Sequence, residues 1–261
     1  ATITVTPSVN DPVAGTVCTG NPITFTITVN PVPTVNAVAN QTHCNGAAVP
    51  SIVFASNVPG AVINWSRTSQ SIGLIPTNGT GSVPAFTAAN ATNAPVTSTF
   101  TAVATYTNNG IPCTGPAIQF TITVNPTPTV SATPTSQTVC NGATTTQISL
   151  SGAVVGTVYN WTNNTPSIGL AANGTGNIPA FAAVNTGGAP VTATITITPT
   201  YTNNGVFCSG TPIIVTITVN PTAQVNQPAN VNTCGNALTT VTFTTTTPGS
   251  TYSWTNNNTA I

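Results

Sequence analysis

The sequence predicts an all-β chain laid out as a tandem array of like modules, and three observations carry that prediction. First, Thr-Ile-Thr-Val-Asn-Pro recurs at 26–31, 121–126 and 216–221, each copy 95 residues after the last. A period this long fits one small sandwich domain per repeat rather than a helical or leucine-rich solenoid. Second, the apolar residues alternate, as in Ile118, Phe120, Ile122 and Val124 with Gln119, Thr121 and Thr123 between them. Period two puts one set on the core face of a strand and the other on the solvent face. Third, the chain is rich in β-branched Thr, Val and Ile and has no capped helical stretch.

The period sets the organisation. Residues 1–30 read as the C-terminal part of a preceding repeat, 31–125 and 126–220 as two complete repeats, and 221–261 as the N-terminal part of a following one. In repeat one, strands are expected near 34–39, 49–55, 61–66, 71–74, 82–88, 96–107 and 116–124. Turn chemistry separates them at 57–60, 76–79 and 108–110. About seven short strands per repeat, with a turn every ten residues or so, is the immunoglobulin-like sandwich pattern. The expected core is Trp65, Phe54, Phe86 and Phe120 in repeat one, with Trp161, Phe181 and Trp254 in phase. Each large side chain buried contributes roughly 1.5–3 kcal/mol, enough together to sustain an independent module. Asn-Pro-x-Pro at 30–33 and 125–128 joins successive modules, and proline stiffens such a linker. The expectation is modules held end to end as a rod.

Composition excludes several functions. The chain has one Arg (Arg67), one Asp (Asp11), one His (His43), and no Lys or Glu. Nucleic-acid binding needs several cationic contacts, and acid–base catalysis needs titratable groups placed together. Calcium sites need several carboxylates, and Lys–Asn cross-links need lysine. The expectation is therefore no enzyme, no cofactor, no metal and no nucleic-acid partner. The three ionisable residues do not recur with the period, and they read as incidental surface positions. With 39% apolar residues in alternating order the chain should fold, and no apolar run is long enough for a membrane helix. The Gly-Thr-Gly segments at 79–81 and 174–176 lack the Lys-Ser/Thr of a phosphate loop and read as tight turns. The sequons at Asn40, Asn64, Asn160 and Asn173 are the kind that arise readily in an Asn- and Thr-rich chain.

Six cysteines in phase point to disulfides and an oxidising, extracellular setting. They lack the short spacings of a zinc site. Two pairings stand open. Bonds inside each repeat would join Cys44 to Cys113 and Cys140 to Cys208. In a sandwich, however, the first loop and the last hairpin lie at opposite ends, while a disulfide needs Cα atoms within about 7 Å. That geometry favours a staggered bond, Cys44 to Cys208, with Cys18, Cys113, Cys140 and Cys234 partnered outside these residues.

Several phased motifs carry a family resemblance: Cys-Asn-Gly at Cys44 and Cys140, the tryptophans Trp65 and Trp161, Ser-Ile-Gly-Leu, Asn-Gly-Thr-Gly, Pro-Ala-Phe, and Cys-x-Gly at Cys113 and Cys208. Together they resemble the PKD-like, immunoglobulin-like repeats of very large secreted surface proteins of Bacteroidota-type bacteria, including adhesins of the gliding-motility kind. The resemblance implies type IX secretion, surface attachment and non-catalytic work, and it transfers no catalytic residue. The function it implies is a structural segment of an extracellular filament or stalk. Its partners would be neighbouring repeats, a surface anchor or substratum, and other chains by lateral association into a fibre. Two rival readings are a repeat-borne glycan- or matrix-binding module and an accessory region of a secreted enzyme.

Overall fold

The computed structural model describes residues 1–258. Apart from one short 3-10 turn, Pro166–Ile168, all its regular structure is β. Two six-stranded sheets share one topology. In the first, the strand order is Gln41–Cys44, Ile118–Asn125, Val96–Asn108, Val62–Arg67 and Asn78–Thr80, with Ile111–Thr114 forming a hairpin on the long strand. In the second, the order is Ser136–Cys140, Ile213–Asn220, Val191–Asn203, Val158–Asn163 and Asn173–Thr175, with Val206–Ser209 as the hairpin. Strand 136–140 runs parallel to 213–220, with Val139 opposite Val219. The other pairs described in that sheet are antiparallel. A smaller ladder accompanies each large sheet. It comprises Ala48–Val49 with Phe86–Thr87 in one case and Ser131–Thr133 with Ser149–Ser151 in the other, supplemented by single bridges. The fold is an immunoglobulin-like β-sandwich, present twice.

By contacts the chain divides into two compact units. The first holds Ala1–Gln41, Ala48–Thr87 and Thr97–Ile122; the second holds Thr42–Ala47, Ala88–Val96 and the chain from Thr123 onward. In the second unit, residues from both sides of the large sheet's inner face close one core. Trp161, Ile195, Ile197, Val215, Ile217 and Val219 come from the large sheet, and Ile148, Leu150 and Ile178 come from the smaller ladder and its bridges. The first unit is aromatic at its centre. Phe100 and Phe120 stack with centroids 4.9 Å apart, and Trp65 and Phe54 lie 6.1 Å from one or the other.

Several sequence expectations need correction. The strand expected at 34–39 is reduced to a bridge at Val35, and the edge strand forms at Gln41–Cys44. The Asn40 side chain accepts the Thr121 amide at 2.8 Å, so the backbone joins the ladder only after it. The strand expected at 71–74 is irregular, although Ile72 and Leu74 are buried. The Gly-Thr-Gly segments are not turns throughout. Gly79 and Gly174 sit within short strands opposite Trp65 and Trp161, and each indole lies flat over its glycine. A Cβ there would meet the indole Cζ2 at 2.6 Å in one case and 2.2 Å in the other. The first glycine of each motif therefore seats a tryptophan, while the second, Gly81 or Gly176, takes the positive φ of the expected turn.

Trp65 and Trp161 are buried, and so is Phe120. Phe54, Phe86 and Phe181 are only half-buried. Trp254 is 73% exposed, because residues 221–258 form no strand and no glycine-bearing strand lies under its indole.

Candidate functional site

The site grows from two local designs that recur. The first is the long hairpin. Asn108 pairs with Ile111 and Asn203 with Val206 across two-residue Asn-Gly turns, and Asn109 and Asn204 both have positive φ. Such turns match the twist of the flanking strands. Each hairpin ends in Cys-x-Gly, and the glycine is there for close approach. A Cβ on Gly115 would lie 1.6 Å from the Pro33 carbonyl oxygen, and one on Gly210 would lie 1.8 Å from that of Pro128. The proline linker thus runs directly over the base of the hairpin.

The second design is the Cys-Asn-Gly loop. The Asn45 amide N–H donates to the Asn125 carbonyl at 3.0 Å, and its side-chain Nδ2 donates to Thr127 Oγ1 at 2.9 Å. Asn45 Oδ1 accepts the Asn90 backbone N–H at 2.9 Å. Asn90 then donates through Nδ2 to the carbonyls of Ala94 and Val124, both at 2.8 Å. The second loop repeats this bond for bond. Asn141 donates to the Asn220 carbonyl and Thr222 Oγ1 and accepts from Asn185, whose Nδ2 donates to Ala189 and Val219. In each loop a buried asparagine, Asn90 or Asn185, and a more exposed one, Asn45 or Asn141, bond this fully and fix the loop that carries the cysteine.

The two designs meet in the second unit. Cys44, at the end of its edge strand, is disulfide-bonded to Cys208 of the hairpin, with Cα atoms 5.6 Å apart and a sequence separation of 164. Beside the bond, the fully buried side chain of Asn125 accepts Asn203 Nδ2 at 2.9 Å, and Asn204 Nδ2 donates to Thr42 Oγ1 at 3.3 Å. In the first unit Asn108 Nδ2 donates to Asn30 Oδ1 at 2.8 Å, which repeats the Asn203–Asn125 pair. The bonds Cys44–Cys113 and Cys140–Cys208 are not formed; Cys18, Cys113, Cys140 and Cys234 are thiols.

The sequence reading missed the asparagines, although their signal was present: Asn stands before Pro at each joint and in phase at the hairpin tips. Arg67, read as incidental, is a local organiser. Its guanidinium donates to the carbonyls of Pro76, Thr68, Gln70 and Leu74 and so holds the irregular 68–76 loop. Asn163 has the corresponding task in the second sheet, donating to Leu170 and Ala171 and accepting from Thr165. Asp11 caps its own turn by accepting the amides of Val13 and Ala14, which hold its carboxyl below the usual range. Burial holds the His43 imidazole below its ordinary value of 6.5.

Among the described residues no three of His, Cys, Asp and Glu come together, and no helix is long and apolar enough to cross a membrane. A cleft of about 420 Å³ in the second unit is lined by Asn141, Asn185, Thr222 and other uncharged residues, whose amides are already bonded to one another. The arrangement is a disulfide and an amide hydrogen bond that together hold loop, linker and hairpin in the second unit.

No protein-family model matches the chain, and no curated protein matches it in sequence. Among solved structures it is similar to three tandem extracellular cadherin domains of mouse cadherin-23, at 11% identity over 83% of this chain and 78% of that one, with a TM-score of 0.41. It is also similar to mouse protocadherin-24 EC1-3, at 12% identity over 85% and 80%, with a TM-score of 0.37. A third is the fibronectin(III)-like modules of Clostridium thermocellum CbhA, at 16% identity over 73% and 95%, with a TM-score of 0.31.

Proposed function

We propose that this chain is a load-bearing, non-catalytic segment of an extracellular filament or stalk belonging to a large cell-surface adhesin, with residues 31–125 and 126–220 as successive repeats. The observation that carries the reading is the Cys44–Cys208 bond. It ties the loop of one sequence repeat to the hairpin of the next and closes a covalent loop across a sequence separation of 164. Force applied at the chain ends then bypasses most of both sandwiches. The near-absence of ionisable groups supports the same reading, because cohesion that rests on apolar cores and amide hydrogen bonds has little to screen or titrate. The resemblance of the phased motifs to PKD-like repeats supports secretion by a type IX route and a place on a gliding-type bacterial surface.

Single-molecule extension of the 261-residue chain tests the proposal. The oxidised protein should extend short of the reduced one by roughly 500–600 Å, the contour length of 164 residues at ~3.3–3.6 Å each. Equal extension in both states would show that the bond carries no load. Saturable binding of a defined glycan by the unstretched chain would favour the binding-module alternative instead.

A further inference from the structure

Asn-Gly occurs six times, three per repeat: at 45–46, 78–79 and 109–110, and in phase at 141–142, 173–174 and 204–205. The pair has a chemistry of its own. The backbone nitrogen of the glycine can attack the asparagine Cγ, because glycine has no side chain to hinder the approach. The attack requires a glycine N–H that is not held in a hydrogen bond, an asparagine amide able to turn onto it, and a backbone not locked in a ladder. The six copies divide on these points.

Four are closed. In the braced loops the Gly46 N–H donates to the Ala88 carbonyl and the Gly142 N–H to the Ala183 carbonyl, both at 2.7 Å. Asn45 and Asn141 there each hold two side-chain hydrogen bonds. Gly79 and Gly174 lie in ladders opposite Trp65 and Trp161. On one side Arg67 N–H donates to Thr77, and on the other Gly81 N–H donates to Ile63, both at 2.8 Å. Antiparallel pairs alternate, so Gly79 and Trp65 exchange both backbone bonds. Asn163 to Ala172 and Gly176 to Tyr159 set the same phase for Gly174 and Trp161.

Two are open. Asn109-Gly110 and Asn204-Gly205 lie beyond the last ladder pairs of their hairpins, and all four residues are exposed. Among the described residues neither glycine N–H has an acceptor. Asn204 keeps one side-chain bond, Nδ2 to Thr42 Oγ1 at 3.3 Å, longer than the usual range.

We propose that these two hairpin tips are sites of spontaneous deamidation, the places where this chain changes chemically with age. The Gly205 nitrogen bonds to the Asn204 Cγ as the Cγ–Nδ2 bond breaks, and ammonia leaves with the proton of the glycine nitrogen. Water then opens the cyclic imide at either carbonyl. One opening gives aspartate; the other routes the main chain through Cγ and gives isoaspartate. Water is the only co-reactant, which suits a chain with so few titratable groups. Each event adds a carboxylate to a chain of zero formal charge. Isoaspartate also adds a methylene to a turn whose two residues match the twist of their strands, on the hairpin that carries Cys208.

The test incubates the folded chain in warm, mildly alkaline buffer made with heavy-oxygen water, then maps its peptides by mass. The heavy oxygen separates deamidation during incubation from deamidation during digestion. Heavy aspartate and isoaspartate should accumulate at 109 and 204 at least tenfold faster than at 45, 78, 141 and 173. Equal rates at all six, or a rate at 204 no higher than at 45 and 141, overturns the proposal. The reduced chain in urea should lose this preference, because the fold imposes it. The same preference in urea would show that the fold does not select the tips. Gly205→Asn keeps a residue that tolerates the left-handed turn but hinders the attack. It should slow position 204 at least tenfold and leave 109 unchanged, and an unaltered rate at 204 would contradict the mechanism. Single-molecule extension reads the disulfide and this experiment reads the hairpin tips, so either can fail without the other.

Discussion

The cores of the two large sheets solve one packing problem with different side chains. At matching positions of the long central strand, the first has Phe100 and Ala102 and the second has Ile195 and Ile197, all fully buried. On the neighbouring strand Phe120 stands where the second has Val215. One core thus combines a stacked aromatic pair with small neighbours, and the other uses aliphatic residues of even size. Volume is kept while shape changes, as close packing requires. The features that do not drift are backbone-facing: the indole over its glycine, the Asn-Gly hairpin, the linker carbonyl against Cys-x-Gly, and the asparagine brace. What the period preserves is the joint and its supports, while the core is free to vary within its volume.

Truncation of either core has the largest expected effect. Phe100→Ala removes a stacked ring and should cost about 3–5 kcal/mol, while Ile195→Ala should cost about 2–5 kcal/mol, both read from denaturant midpoints. The sharper form is a swap. Phe100→Ile and Ala102→Ile should each destabilise the protein alone, and the double variant should be more stable than the two costs added together, because the second change fills space the first vacates. Strict additivity would show that the two positions do not share volume.

The joint comes next in size. Asn125→Ala leaves Asn203 Nδ2 without its acceptor at a buried site and should cost about 1–3 kcal/mol. Asn203→Ala should cost a similar amount, and the double variant little more than either. Asn30→Ala, which removes the equivalent acceptor for Asn108 where Asn30 is half-buried, should cost less.

The smallest effect is that of pH. The folded His43 holds its proton less tightly than its ordinary value of 6.5. Its contribution is therefore complete above about that pH and falls as the solution is acidified through the folded value. Asp11, also depressed, adds a loss only below its ordinary 3.8. Thermal midpoints should be flat around neutral pH and should decline slightly on the acid side of 6.5. A steep rise on acidification would contradict the burial at His43.

Much of this was legible beforehand, and the reasons differ by residue. Alternation placed the strands 96–108 and 118–125 well, because their pattern comes directly from a two-faced sheet. The 71–74 stretch was misread because its apolar residues are buried from an irregular loop held by Arg67, and nothing local announces a guanidinium bonded to four carbonyls. The Gly-Thr-Gly segments looked like turns because glycine usually marks them; only the tertiary position of Trp65 and Trp161 gives the first glycine its role. Trp254 was expected in a core by phase alone, but a tryptophan is buried by what lies across from it, and residues 221–258 do not form that strand. The asparagine brace was invisible for a similar reason. Asn45, Asn90 and Asn125 are distant in sequence, and their side chains acquire meaning only when the loop, the strand end and the linker meet.

The central claim is that the loop of one sequence repeat is covalently tied to the hairpin of the next. Non-reducing peptide mapping of the native chain tests it most directly. A linked peptide pair containing Cys44 and Cys208 is the result this account predicts, and a pair joining Cys44 to Cys113 would contradict it.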